Sequence, residues 1–426
     1  MKKTLLIGAL AILFCGFAAA QQYTVLYNFG GPPNDGQTSV GNPIMDASGN
    51  LYGVTSYGGL HGCGTNGCGT IYELSPNGAG GWTETILYNF CSSANCADGA
   101  IPETGLVADA SGNFYGTASG GGLACSLSPE GCGVFYELSP PQVQGGSWSY
   151  SVLYSFCSVR KGSYCADGAA PTGPITVDSA GNFYGTTIFG GASVGEHGQG
   201  TVYQLKQNAG AWKENVLYKF CASFNGQYCP DGQQPSSGVV IGKVNSLYGS
   251  LPLGGSSSNG GLVYKLTPSS GGMIETSLFT FTSQKAYNAG APVSLDPRGN
   301  VYTTFTSGGT GGTGGILRIS ASGTPDFYYF ANQSNGANPY TGLLLDPTLD
   351  LGYGLTSRGG TGNNQGTVYQ ITSSGQETLL YSFCQQSQCT DGAYPNGLSV
   401  MPSGTMYGAT VYGGANGDGV VFEITP

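Results

Sequence analysis

Short apolar strings, separated by polar segments rich in glycine, recur along most of the chain. Two of these strings are rich in β-branched and aromatic residues and are bounded by glycine, asparagine or serine, so they predict short strands. The first string, an apolar residue followed by tyrosine and usually glycine, begins at residues 51, 114, 183, 247, 301, 352 and 406. The second string, which alternates apolar and polar residues, begins at residues 71, 135, 202, 263, 316, 368 and 421.

Two further strings complete the repeat. A string of the form L-Y-x-F begins at residues 26, 87, 153, 217, 278, 327 and 380. A weaker strand precedes each tyrosine-glycine string and in four repeats joins it through a D-x-x-G-N turn, whose glycine suits the positive φ of a tight hairpin. The predicted unit has four antiparallel strands. We name the weaker strand A, the tyrosine-glycine string B, the alternating string C and the L-Y-x-F string D.

Seven such units with no helix between them predict an all-β, seven-bladed β-propeller, with residues 21–426 as one domain. A β-solenoid is the alternative, but its rungs take only about 20 to 30 residues. The sequence after residue 20 opens with a D string, and the last unit has A, B and C strings without one. We therefore expect the N-terminal D strand to complete the last blade and close the ring.

The composition agrees with a large β protein whose turns are rich in glycine. Of the 426 residues, 76 are glycine, while 39% are hydrophobic and 12% aromatic, which is too apolar for a disordered chain. The formal net charge is −10 and becomes about −12 without Lys2 and Lys3. An acidic chain without a basic run argues against nucleic-acid binding.

Residues 1–20 have the pattern of a secretory signal peptide. Lys2 and Lys3 precede an apolar stretch at residues 5–17, and three alanines before Gln21 supply a cleavage site. The apolar run is shorter than the roughly 20 residues of a membrane-spanning helix, so we expect cleavage and no membrane span afterwards. The sequence thus predicts a protein that is secreted, periplasmic or located in the cell envelope.

The cysteines after the signal sequence form near-neighbour pairs. An even number of cysteines in an exported chain predicts disulfides, each closing a small loop and stabilising by roughly 2 to 3 kcal/mol. The pairs are Cys63/Cys68, Cys91/Cys96, Cys125/Cys132, Cys157/Cys165, Cys221/Cys229 and Cys384/Cys389. Zinc is the alternative, but it prefers ligand pairs that converge on one point, and each pair is expected in a different repeat.

Units such as residues 181–187, followed by Gly190 and Gly191 and then by residues 200–205, resemble the GloVer tandem repeats of exported bacterial proteins. The resemblance covers essentially all of the chain after the signal sequence. It implies the repeat architecture and export from a bacterium, and it implies no established activity.

The B-to-C and D-to-A connections leave the same end of each antiparallel unit. Both are long and hold all six cysteine pairs, so we expect a ligand to meet this rim. An Asp-Gly step precedes strand A at Asp35, Asp98, Asp167, Asp231 and Asp391, and asparagine takes the equivalent place at Asn288 and Asn335. A ring of carboxylates at the channel mouth suits Ca2+. We favour the alternative in which each aspartate caps backbone N–H groups of its own turn, and we expect no other cofactor.

Three aromatic residues, Tyr57, Phe189 and Tyr412, precede the Gly-Gly step of B-to-C connections, where an exposed ring can stack on a sugar or a partner protein. Packing against the neighbouring blade explains them equally well. His61 and His197 fall on the same kind of connection in the first and third units, too far apart to share a metal. The sequence contains no nucleophile-elbow, zinc-protease or phosphate-loop motif.

These patterns favour a non-enzymatic exported binding protein whose cysteine-bearing rim meets a glycan or a protein. The alternative is a propeller glycoside hydrolase or polysaccharide lyase acting at the channel mouth. That chemistry needs two carboxylates, or a carboxylate and a tyrosine, roughly 5 to 10 Å apart. A third hypothesis is an envelope protein whose repeats serve self-association.

Overall fold

The computed structural model describes residues 21–125, 131–143, 145–162, 164–191, 198–282, 286–309, 311–346, 350–361 and 363–426. The predicted signal peptide at residues 1–20 lies outside the described residues, as do His197 and its neighbour Glu196.

Seven antiparallel sheets, counted over the described residues, form a seven-bladed β-propeller, which confirms the predicted fold. The A strands are Gly36–Met45, Val107–Ala108, Thr176–Val177, Val240–Ile241, Ser294–Leu295, Leu344–Asp346 and Ala393–Val400. The B strands are Leu51–Gly58, Phe114–Ala118, Phe183–Phe189, Leu247–Leu251, Val301–Phe305, Leu351–Thr356 and Met406–Tyr412. The C strands are Thr70–Pro76, Val134–Ser139, Thr201–Asn208, Leu262–Ser269, Gly315–Ile319, Thr367–Thr372 and Val420–Thr425.

The D strands are Trp82–Asn89, Ser149–Ser155, Ala211–Lys219, Gly272–Thr280, Pro325–Tyr329, Glu377–Ser382 and, for the last blade, Gln22–Asn28. Blade 3 has an additional inner strand, Ala169–Pro171. Short strand pairs join Arg160–Lys161 to Tyr164–Cys165 and Ala286–Tyr287 to Ser307–Gly308. Single 3-10 turns lie at Ala94–Cys96, Lys243–Asn245 and Ser387–Cys389. No helix in the described part of the chain has the length and apolar character needed to cross a membrane.

The N-terminal strand closes the ring as predicted. Gln22–Asn28 pairs antiparallel with strand C of blade 7, with Tyr23 opposite Ile424 and Asn28 opposite Val420. The ring of Tyr23 stacks on Tyr381 of blade 6, with ring centroids 4.0 Å apart. The strand therefore belongs to blade 7 and also seals its seam with blade 6.

The recurring tyrosine-glycine string has a steric cause. In five blades its glycine lies directly across from a fully buried tyrosine of strand C, in the pairs Gly53–Tyr72, Gly116–Tyr136, Gly185–Tyr203, Gly249–Tyr264 and Gly354–Tyr369. A Cβ atom at any of these glycines would lie 2.3 to 2.4 Å from the tyrosine oxygen. Blade 5 has Thr303 in the glycine position and Leu317 across from it. The glycine thus makes room for the tyrosine.

A second regularity concerns the start of strand A. One non-glycine residue per blade has a left-handed backbone there, at Thr38, Ile101, Ala170, Gln234, Asn288, Asn338 and Tyr394, with φ between 53° and 63°. The N–H of each donates to a carbonyl near the end of the preceding blade's B-to-C connection, for example Ile101 to Cys68 and Tyr394 to Gln365, both at 2.9 Å. Consecutive blades are therefore joined at the channel mouth by backbone hydrogen bonds.

The inner strands enclose a central cavity of about 540 Å³. All seven blades contribute to its wall, which is made mainly of glycine, proline, small polar and aliphatic residues. Among the described residues of this wall, Glu103 of blade 2 is the sole acidic side chain. Burial raises the pKa of Glu103, although a hydrogen bond with Ser119 acts in the opposite direction.

Candidate functional site

The long B-to-C and D-to-A connections lie at one end of the propeller, which we call the cysteine rim. All six predicted disulfides are present on it: Cys63–Cys68, Cys91–Cys96, Cys125–Cys132, Cys157–Cys165, Cys221–Cys229 and Cys384–Cys389. The opposite end carries the short A-to-B and C-to-D hairpins. The prediction that the cysteines share one end of the fold is confirmed.

The rim aspartates point into their own connections. The carboxylate of Asp98 accepts hydrogen bonds from the Tyr88 hydroxyl at 2.6 Å and from the backbone N–H groups of Ser92 and Ser93 at 2.9 and 3.0 Å. Although burial raises the pKa of Asp98, these hydrogen bonds outweigh it and lower the pKa below its ordinary value. The carboxylate therefore holds the D-to-A connection in shape.

The other four aspartates make the same kind of contact. Each accepts a hydrogen bond from the tyrosine of the preceding L-Y-x-F string, in the pairs Asp35–Tyr27, Asp167–Tyr154, Asp231–Tyr218 and Asp391–Tyr381, at 2.7 to 3.0 Å. Each also accepts from at least one backbone N–H of its own connection. These are the contacts expected of turn-forming aspartates. Calcium binding at these carboxylates stays a prediction.

A set of glutamates, which the sequence analysis did not single out, lies beside these aspartates. Tyr27 of the N-terminal strand has its hydroxyl 2.9 Å from Asp35 and 3.1 Å from Glu84 of the next blade. Burial and the neighbouring charge of Asp35 raise the pKa of Glu84 to about 8. Burial likewise raises the pKa of Glu214 to about 8 and those of Glu275 and Glu377 to about 7.

These glutamates share a position in the repeat, four residues before the aromatic residue of the L-Y-x-F string. The same position holds Tyr150 in blade 2 and Tyr23 in blade 7, which stack on Tyr88 and Tyr381 of the preceding blades at 3.8 and 4.0 Å. The position therefore faces the neighbouring blade, and its side chain fills a seam. An alignment of the repeats would have revealed it.

The three predicted aromatic residues do not form one site. Tyr412 is 54% exposed, and its ring meets that of Tyr394 edge to face, with centroids 5.6 Å apart. Tyr57 is half-buried in blade 1, which adjoins blade 7 in the closed ring. Phe189 lies in blade 3 and packs against buried cysteines, including Cys132. The structure thus brings Tyr57 and Tyr412 to neighbouring blades and places Phe189 apart from them.

Blades 6, 7 and 1 adjoin one another in the ring, and we call a set of their side chains at the rim end of strands A and B the aromatic arc. It consists of Arg358, Tyr394, Tyr412, Tyr57 and Gln37. Tyr57 lies across from Gln37, and Arg358 and Tyr412 take the corresponding positions of their blades. The amide of Gln37 donates to Asp418 of blade 7 at 2.6 Å, and the Arg358 side chain is exposed. Tyr394 is one of the left-handed residues, so its backbone is fixed by the preceding blade.

The cysteine rim also contains two groups of closely spaced sulfur atoms. The sulfur atoms of Cys63, Cys68, Cys91 and Cys96 all lie within 4.8 Å of one another, and we call them the blade 1 cysteine cluster. Cys132, Cys157 and Cys165 form a similar group one blade further on. The expectation that each cysteine pair lies in a different repeat is therefore wrong for these two groups, because the two connections of one blade meet on the same rim.

Solved structures share the fold at low sequence identity. PorZ, a bacterial surface component of the type-IX secretion system of Porphyromonas gingivalis, matches with a TM-score of 0.50 and 14% identity over 92% of this chain and 47% of its own. An extracellular domain from a one component system of B. thetaiotaomicron matches with a TM-score of 0.50 and 7% identity over 94% of this chain and 40% of its own. The chain thus spans less than half the length of either, and the likeness shows the fold alone. No curated protein matches the chain in sequence.

A model of a known repeat family matches the chain in three overlapping stretches. The model of the Gloeobacter/Verrucomicrobia repeat, for which GloVer is the short name, matches residues 12–166, 128–324 and 252–426. These overlapping matches take in all seven blades and the closing strand. The chain belongs to the Gloeobacter/Verrucomicrobia repeat family.

Proposed function

We propose that this protein is an exported, non-enzymatic binding protein that holds a glycan at the aromatic arc. The observation that carries the proposal is the Tyr394–Tyr412 pair at the channel mouth, in which Tyr412 leaves 54% of its surface exposed. Aromatic side chains with a few fixed polar groups are typical of ligand sites on rigid scaffolds. Export is supported by the signal-peptide pattern and the six disulfides, which are typical of oxidising compartments.

The backbone that carries the two tyrosines of the arc is held in place, which favours binding because less conformational freedom is lost when a ligand docks. The backbone of Tyr394 is held by its hydrogen bond to Gln365, and strand pairing fixes Tyr412 across from Ala393. Arg358 takes the position on the adjoining blade 6 that Tyr412 takes on blade 7, and a guanidinium pairs well with a carboxylate. We therefore propose a glycan that carries carboxylates, such as a polymer of uronic acids.

A titration of the disulfide-bonded protein with uronic-acid and neutral oligosaccharides tests this proposal. We expect Tyr412→Ala to weaken binding at least tenfold. The matched control is Tyr287→Ala, because Tyr287 is 47% exposed on the same rim but belongs to blade 5. Arg358→Gln should remove the preference for acidic over neutral glycans. Equal losses from Tyr412→Ala and Tyr287→Ala, or binding only to a protein partner, would contradict a glycan site at the arc.

The glycoside hydrolase or lyase alternative has less support. The central cavity presents Glu103 as the sole acidic residue among its described lining, and the rim aspartates are engaged in their own connections. The Asp35–Glu84 pair is half-buried in the seam between blades 7 and 1, where Tyr27 contacts both carboxyl groups. Release of reducing or unsaturated sugar ends from an oligosaccharide during the same titration would favour the enzyme.

A further inference from the structure

Two disulfide loops of blade 1 meet on the cysteine rim. Cys63 and Cys68 belong to the B-to-C connection of this blade, whereas Cys91 and Cys96 belong to the D-to-A connection that leads to blade 2. Because both connections leave the same end of the sheet, all four sulfur atoms lie within 4.8 Å of one another. Cys68 is fully buried and the other three are half-buried, so the cluster is shielded without being sealed.

The disulfides do not by themselves join the two connections. Each bond closes only a loop within one connection, between residues five positions apart in sequence. The contact between the connections is made by packing and by the hydrogen bond from the Ile101 N–H to the Cys68 carbonyl. A centre that bound all four sulfurs would add a direct bridge across this seam.

Four thiolates on two short loops match a tetrahedral zinc site. Zinc binds thiolate sulfur at about 2.3 Å, which places the four sulfurs of a tetrahedral site about 3.8 Å apart. The four sulfurs now lie within 4.8 Å of one another, so opening the two disulfide bonds leaves only a small adjustment to that spacing, and each loop supplies two ligands, as in a zinc knuckle. The paired Cα atoms are 5.0 and 4.0 Å apart, so each loop holds its two cysteines close enough to bind one ion together.

We propose that the blade 1 cysteine cluster is a redox-convertible metal site, with two disulfides in its oxidised state and one Zn2+ bound by four thiolates in its reduced state. Each disulfide accepts two electrons and two protons from one dithiol, which leaves as its own disulfide. One Zn2+ then displaces the protons of the four thiols formed. The metal state bridges the two connections and stabilises the seam between blades 1 and 2.

Other cysteines of the same chain provide controls. Cys221–Cys229 lies on the D-to-A connection between blades 3 and 4, and it belongs to neither sulfur group found among the described residues. The variant Cys221→Ser/Cys229→Ser removes as many cysteines as Cys91→Ser/Cys96→Ser does. A difference in metal content between the two variants therefore reports the cluster and not the number of thiols.

The test uses the whole protein, reduced with dithiothreitol, desalted under argon and titrated with Co2+, whose absorption reports tetrahedral thiolate ligation. We expect Cys91→Ser/Cys96→Ser to bind one metal equivalent fewer than Cys221→Ser/Cys229→Ser, and Zn2+ to displace the cobalt signal. The oxidised protein should give no such signal. Limited proteolysis of the reduced protein should slow in the connection around Cys91 when zinc is added.

Several outcomes would overturn the proposal. Equal metal content in the two variants would show that the cluster is not the site. Absence of a tetrahedral thiolate spectrum in the reduced wild-type protein would also refute the metal site. A loss of native circular dichroism on reduction that zinc does not restore would refute it as well. If Cys91→Ser/Cys96→Ser fails to fold, Cys63→Ser/Cys68→Ser must show the same loss of one equivalent, and an unchanged metal content there refutes the site.

Discussion

The glycine-tyrosine pair found in five blades permits a sharp test of the packing between strands B and C. In blade 2, a Cβ atom at Gly116 would lie 2.3 Å from the Tyr136 oxygen and 2.5 Å from its ring. Tyr136 is fully buried and its ring is flanked by Phe90 and Tyr150 at 5.3 and 5.4 Å, so it has no room to withdraw. The substitution Gly116→Ala should therefore force a rearrangement of the core.

The magnitude follows from two opposing effects. Overpacking of a well-packed core costs typically about 1 to 3 kcal/mol, whereas replacing a strand glycine by alanine returns about 0.5 to 1 kcal/mol of backbone entropy. We expect Gly116→Ala to lower the free energy of unfolding by about 1 to 2 kcal/mol. Tyr136→Leu alone should cost about 2 kcal/mol through the cavity it leaves.

The double variant Gly116→Ala/Tyr136→Leu resembles blade 5, where Thr303, a residue with a Cβ atom, lies across from Leu317. It should be more stable than the sum of the single effects predicts, with a coupling of about 1 to 2 kcal/mol. Urea unfolding followed by tryptophan fluorescence in a Trp82→Phe/Trp212→Phe background measures this, because the remaining Trp148 stacks on Phe114 in the same blade. Strictly additive effects, or a Gly116→Ala variant as stable as wild type, would refute the steric explanation.

Three further predictions concern the seams and the ring. Burial raises the pKa of Glu214 to about 8. The protonated side chain therefore stabilises the fold fully at pH values below the ordinary pKa of glutamate, and this contribution is lost as the pH rises through about 8. Glu214→Gln should flatten the decline in unfolding free energy between pH 5 and 9, and an unchanged slope would contradict this. Asp98→Ala should cost about 2 kcal/mol at pH 7, since it leaves two backbone N–H groups unpaired, and the wild-type advantage should vanish in acid because the pKa of Asp98 is lowered. Deletion of residues 22–28 should expose the edge of Val420–Thr425 and yield aggregates in size-exclusion chromatography, whereas a monomeric product would argue against the closing role.

The fold was predictable because its causes are local. Strand strings, glycine turns and the missing D string of the last unit are all visible in the sequence, and the strand pairing of Gln22–Asn28 confirms the closure drawn from them. Turn chemistry likewise indicated the capping alternative for the rim aspartates, and the contacts of Asp98 have that geometry.

The geometry of the channel mouth was harder to predict from the sequence, because it depends on contacts between neighbouring blades. The left-handed residues include Ile101, Gln234 and Tyr394, which share no side-chain signature, since each conformation is set by a backbone hydrogen bond to the preceding blade. The meeting of Cys68 with Cys91 also depends on how two connections fold over one rim. The repeated glutamates, by contrast, left a signal at a fixed position before the aromatic residue of strand D.

The strand pairing that seals the propeller also sets an order of events during biogenesis. Gln22–Asn28 is synthesised long before Val420–Thr425, yet these two segments complete the same sheet. Throughout that interval the early segment lacks its strand partner, although blade 1 already offers Glu84 as a contact for Tyr27. The nascent protein therefore carries an unpaired strand edge until Val420–Thr425 is synthesised. A holding chaperone in the compartment of folding would be of greatest use during this delay.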